Sequence, residues 1–188
     1  MICHKKGVST YMDSDLTLDF IIIVVLIIAN GLFSMTELAI VNAKKRKLEE
    51  MAEAGNERAK KAFELAENPN NMFSTIQIGI TLVGILTGLY SGATFSGPLE
   101  EILVDTIPNI EPYATSLSSL LIVTVITYLS LVIGELVPKR LALNSPENIA
   151  VVVAKPIYWL SIALKPIVGF LGVSTEFLLK LLGVTVKE

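Results

Sequence analysis

Residues 112–134 read PYATSLSSLLIVTVITYLSLVIG, 23 positions without a charge, and the chain then continues Glu135-Leu136-Val137-Pro138-Lys139. A second run, FIIIVVLIIANGLFSMT over residues 20–36, is uncharged for 17 positions before Glu37. About 20 apolar residues cross the roughly 30 Å hydrocarbon core of a bilayer as a helix. Both runs therefore read as membrane spans with a carboxylate at or near one end. A charge at such depth costs a few kcal/mol or more, about 2.5–3.5 on insertion scales, and usually faces a polar cavity where it has a task. The pattern points to a membrane protein that handles a cation.

Composition agrees. The 188 residues are 52% hydrophobic and 18% charged, with mean hydropathy +0.63 and net charge −3. That lies on the apolar side of soluble domains. Cys3 and His4 are the sole residues of their kinds, so neither a disulfide nor a Cys- or His-rich metal cluster is available within one chain. Both sit in a polar leader, residues 1–15, expected to be extracellular and disordered. Lys5 and Lys6 are followed by Asp13, Asp15 and Asp19 with no small-residue cleavage site, so the first apolar run is expected to stay as a membrane helix.

Three spans are expected, at about 16–43, 73–92 and 114–136. The stretch 72–99 that holds the second carries no charge. Beyond residue 145, Lys155, Lys165 and Lys180 cut the chain into short apolar pieces flanked by Pro156 and Pro166. These suit interfacial helices over 146–185 whose lysines reach for headgroups. A fourth span is the alternative. Asn144-Ser145-Pro146-Glu147 looks like a helix start, with Ser145 as N-cap.

The loop 44–71 holds Lys44, Lys45, Arg46, Lys47, Arg58, Lys60 and Lys61. The connection between spans two and three holds Glu100, Glu101, Asp105 and Glu111 without a Lys or Arg. The positive-inside rule makes the first cytoplasmic and the second external, with the N-terminus outside and the C-terminus inside. Three-to-four spacing of Leu48, Met51, Ala52, Ala59, Ala62 and Phe63 predicts that 44–71 is helical, broken at Gly55 and stopped around Asn68.

Polar stripes run along the spans. Asn30, Ser34 and Glu37 share one helical face and offer oxygens to a hard cation; interhelical glue, or for Glu37 a salt bridge to Lys44 or Lys45, is the plainer alternative. Gln77, Thr81, Gly84 and Gly88 share a face of the second span. Gly84-x-x-x-Gly88 first suggests close helix packing, which could also bring Thr81 to a neighbouring site. In the third span Pro138 lacks an N–H, so the Gly134 carbonyl loses its helical donor. A bared carbonyl beside the Glu135 carboxylate could hold a cation, with Thr127 and Ser130 nearby. The rival is a helix that simply ends, with Glu135 paired to Lys139 at i+4.

Three stretches in order, ANGLFSMTELAI (29–40), TIQIGITLVGILTG (75–88) and GELVPK (134–139), resemble the signature regions of the CorC / cyclin M transmembrane domain of magnesium transporters. The similarity runs over roughly 16–185. It implies an all-α membrane protein with three spans, a belt of juxtamembrane helices and a homodimer in a plasma membrane. The resemblance also implies Na⁺-coupled Mg²⁺ export, with Mg²⁺ held by Asn30, Ser34, the Gly134 carbonyl and Glu135. Thr81 and Gly84 are the second-helix candidates, Glu37 a further one, and Pro138 (with Gly84) a bending point. Members carry a cytosolic CBS-pair domain that binds ATP or a related nucleotide, expected to be absent from this chain. Many relatives have asparagine near the place of Gly84, a departure that leaves open a polyamine or another divalent ion as cargo. A non-transporting membrane anchor or ion sensor is the rival of a different class. No nucleophile–base pair, phosphate loop or HExxH motif suggests an enzyme. The implied partners are lipid, a second copy and the CBS pair, not nucleic acid.

Overall fold

A computed structural model describes residues 6–67 and 69–183, so the expectations for Cys3 and His4 fall outside the described residues. Every regular element is helical. The first helix, α1, runs Lys6–Asn42 without interruption. It therefore includes residues 6–15, which had been expected as a disordered leader. That stretch has no proline and only Gly7 as a weak point, so helical turns propagate back from the apolar run at little cost. Phe20, Val25 and Leu32 are 58%, 57% and 52% exposed, which is how lipid-facing side chains of a span look in a bare chain.

Among the described residues three helical stretches are long and apolar enough to cross a membrane, Leu16–Asn42, Pro69–Thr106 and Asn109–Asn144, and the bent pair Pro146–Ala163 with Lys165–Leu181 makes a fourth if it counts as one span. The second belongs to α4, Pro69–Thr106, whose 38 residues far exceed the expected 73–92. Without water to compete for its backbone, a helix in lipid tolerates Gly84, Gly88 and Gly92, and even Pro98. It ends where Ile107 precedes Pro108 and turns extended (φ −136°). A 3₁₀ turn, Pro108–Tyr113, then leads into α5, Ala114–Leu131.

The third span was expected to end at about residue 136, with Pro138 a bending point. Instead Val132–Leu136 forms a π turn, in which the Val137 N–H donates to the Val132 carbonyl, and α6 continues through Pro138 over Val137–Asn144. The wider turn inserts the extra residue that carries the chain past a missing N–H, and such turns often mark functional sites.

The chain divides into two compact units, residues 1–34 with 80–140 and residues 35–79 with 141–188. In the first, Asp19 of α1 accepts hydrogen bonds from the Tyr90 hydroxyl (2.7 Å) and the Thr94 hydroxyl (3.2 Å) of α4. In the second, α2 (Lys45–Glu53) and α3 (Glu57–Glu67) form a hairpin about Gly55, whose φ of +91° suits glycine. Asn56 caps α3 by accepting from the Arg58 and Ala59 N–H groups at 3.0 and 3.2 Å. Buried Ala59, Ala62 and Ala66 let α3 approach α7, Pro146–Ala163, which contributes buried Ala150, Val151, Ala154 and Ile157.

Ser145 does stand at the N-cap of α7 with Pro146 behind it, but its side chain makes no capping bond. The buried residue there is Glu147, which receives Lys47 Nζ of α2 at 3.3 Å. Its own backbone N–H holds the carboxyl below the ordinary glutamate value; Lys47 adds to this against the opposing effect of burial. Lys61 of α3 pairs with Glu64 at 2.6 Å and lies 4.2 Å from the centre of the Tyr158 ring of α7. The region expected as interfacial helices is α7 followed by α8, Lys165–Leu181, bent by 66° about Leu164. None of the α8 residues is buried.

Candidate cation site

Within the first unit, α1 meets the π turn closely enough for side chain and backbone to bond. Asn30 Nδ2 donates to the Gly134 carbonyl at 3.1 Å. Pro138, four residues on, has no N–H to give that carbonyl, and the Asn30 amide donates to it. The contact is possible because both facing residues are glycines. A methyl on Gly31 would lie 2.9 Å from Pro138 Cγ, and one on Gly134 would lie 3.2 Å from the Ile27 carbonyl and 3.3 Å from Asn30 Nδ2.

Two oxygens are left over. Asn30 Oδ1 and Ser34 Oγ are buried and have no hydrogen-bond partner, the one such pair among the described residues. Ser34 is 1% exposed. Other buried hydroxyls behave differently: Thr75, Thr87, Ser91 and Ser118 each donate to a carbonyl of their own helix, the usual solution for such groups in apolar surroundings. An unsatisfied buried polar atom costs about 1–3 kcal/mol. Asn30 and Ser34 stand one turn apart on one face of α1.

Glu135, the expected anionic ligand, is ion-paired. Lys139 Nζ lies 2.8 Å from Glu135 Oε1, with side-chain exposures of 31% and 37%. This is the pairing that the sequence offered as the rival to a metal site, and it is present. A cation at Glu135 has to displace or share with this ammonium.

Thr81 and Gly84 are exposed, and nothing lies within 4 Å of a methyl placed on Gly84 or Gly88. Among the described residues, the Gly84-x-x-x-Gly88 face therefore packs against no other helix of this chain. Open space at these two positions is the physical reason: the second span turns this face outward. Glu37 falls in the second unit, where it is half-buried. Thr127 is exposed and Ser130 half-buried. No three His, Cys, Asp or Glu side chains converge among the described residues. A metal here would rest on neutral oxygens and one carboxylate, which suits Mg²⁺, since that ion keeps several waters and uses one or two carboxylates. Gly31 escaped the sequence reading. Its only signal was a glycine inside a span, which costs a helix about 1 kcal/mol and needs a reason.

The description "Cyclin M transmembrane N-terminal domain" matches residues 21–188. The chain belongs to the cyclin M transmembrane domain family. It is 52% identical over 93% of its length to the UPF0053 protein sll0260 of Synechocystis sp., covering 39% of that protein. It is 33% identical over 92% of its length to the UPF0053 protein YugS of Bacillus subtilis, covering 40%. A protein of Haemophilus influenzae named polyamine export protein is 28% identical over 88% of the chain, of which 38% is covered. The chain thus spans about two fifths of the length of these curated relatives. Family and helices together make it a multi-pass membrane protein.

Proposed function

We propose that this cyclin M domain moves Mg²⁺ outward across the plasma membrane, coupled to inward Na⁺. The observation that carries this reading is the buried, partnerless pair Asn30 Oδ1 and Ser34 Oγ. Beside it are the second lone pair of the Gly134 carbonyl and, on the next residue, the Glu135 carboxylate. The neutral oxygens replace part of the ion's hydration shell, and Glu135 offsets part of its charge once Lys139 yields. The charge asymmetry of the loops supports a cytoplasmic side for 44–71 and the C-terminus. Regulation by a CBS pair and action as a homodimer are parts of the same proposal. Calorimetry tests it: Mg²⁺ binding to the full chain should weaken at least about tenfold in Ser34→Ala and in Glu135→Gln. Binding unchanged in both defeats the assignment.

A second reading has its own support. Glu135 already accepts a primary alkylammonium, that of Lys139, and a polyamine presents the same group. The name of the Haemophilus influenzae relative points the same way. Flux of Mg²⁺ and putrescine in competition separates the two cargoes.

A further inference from the structure

We propose that Gly31 and Pro138 are positioning residues which, through one interhelical contact, aim the Asn30 carbonyl oxygen at the cation path. The inference rests on the cation-site reading above and adds to it residues that hold no ion themselves. Pro138 has no N–H to give the Gly134 carbonyl four residues back. A carbonyl only accepts, so the Asn30 atom that faces it at 3.1 Å is the NH₂ group. With its nitrogen fixed in this way, the Asn30 amide turns Oδ1 away from Gly134, and that oxygen is the one found buried without a partner. Asn30 is thereby locked by its donor end and supplies its acceptor end, an arrangement familiar from metal ligands oriented by outer-shell hydrogen bonds.

The separation of the helices decides whether this works. Pro138 Cγ occupies the space that a side chain on residue 31 would need, at 2.9 Å from an added methyl, where ordinary contact begins at 3.4 Å. Alanine at 31 therefore drives the backbones apart by about half an ångström. Added to the present 3.1 Å, that stretches the Asn30–Gly134 contact to about 3.6 Å, outside hydrogen-bonding range. The released amide then turns freely and no longer presents Oδ1 beside Ser34. Pro138 thus does more than bend a helix: one side of its ring sets the spacing, and it gives the Gly134 carbonyl no N–H.

The test is a double-mutant cycle on the full chain in detergent, read by Mg²⁺ calorimetry and by the side-chain amide signals of ¹⁵N-asparagine, with Asn30→Ala to identify the Asn30 pair. Gly31→Ala should weaken Mg²⁺ binding about 10- to 100-fold, the range for outer-shell residues of metal sites, and should move the Asn30 amide signal in ion-free buffer. In Gly31→Ala/Pro138→Ala the colliding ring is gone, so the double variant should bind no worse than the weaker single variant. Should Gly31→Ala fail to fold, Gly134→Ala probes the same contact from the other side and should move the same signal. Binding and amide signal both unchanged in Gly31→Ala, or penalties that simply multiply in the double variant, overturn the proposal. If the unmutated chain binds no Mg²⁺, the cation-site reading fails. The ion-free amide signal then decides the positioning claim alone, and a signal unmoved by Gly31→Ala refutes it.

Discussion

Replacing Ser34 by alanine should move stability and ion binding in opposite directions. The Ser34 hydroxyl is buried to 1% exposure and its oxygen has no partner. In the absence of an ion it only costs free energy, about 1–3 kcal/mol for a desolvated, unbonded polar atom. Alanine fills almost the same volume without that penalty. For a chain of this length, each kcal/mol corresponds to about 2–4 °C in the unfolding midpoint. The variant should therefore melt a few degrees higher than the parent in Mg²⁺-free detergent, while binding Mg²⁺ at least about tenfold more weakly because one ligand is gone. Thermal unfolding with and without Mg²⁺, paired with calorimetry, reads both quantities on the same samples. A hydroxyl that served as ordinary interhelical glue would give the reverse pattern: a lower midpoint and unaltered affinity. That result would refute the reasoning.

Lys139→Gln removes the ammonium that occupies Glu135 at 2.8 Å and should tighten Mg²⁺ binding in a titration; weaker binding would show that the lysine belongs to the site rather than competes for it. Lys47→Ala leaves the buried Glu147 without its cation. Because the lysine is 54% exposed, its loss should cost only about 1 kcal/mol, measured by thermal unfolding at neutral pH. The carboxyl of Glu147 is held below its usual value of 4.5, so its contribution is complete above that pH and is lost as the pH falls below it. The gap between parent and Lys47→Ala should close on acidification and persist on going alkaline. Gly84→Ala meets open space and should leave the chain's stability unchanged or raise it by up to about 1 kcal/mol through helix propensity; a fall would mean that another surface packs there.

Much of the architecture was legible because the bilayer imposes it. Uncharged runs of 17 and 23 residues can only be helices in lipid, and α2 and α3 followed from three-to-four spacing and from Gly55. The extents were less legible. Residues 6–15 lack a hydrophobic signature, yet nothing in them stops a helix that has already begun, and α4 runs on through Pro98. At the site, the stripe of Asn30 and Ser34 and the missing donor at Pro138 could be read from spacing and from proline chemistry. What spacing could not reveal is which group would donate to that carbonyl. The Gly134 carbonyl met an amide from α1, a contact 104 residues away in sequence, and Glu135 met the lysine one turn on. Gly84-x-x-x-Gly88 has the same limit: a small-residue face states that close approach is possible, not which surface approaches. Gly31, the glycine that does pack, stood alone in no pattern.

The oxygen pair of α1 is the proposed place for a cation. Crystals of the full chain soaked in Mn²⁺, an anomalous scatterer that stands in for Mg²⁺, test this directly. A peak bonded to Asn30 Oδ1 and Ser34 Oγ at about 2.1–2.2 Å, near the Mg²⁺–oxygen distance, is the predicted result. Density for a protein donor at both oxygens, with no anomalous peak between α1 and the π turn, would contradict it.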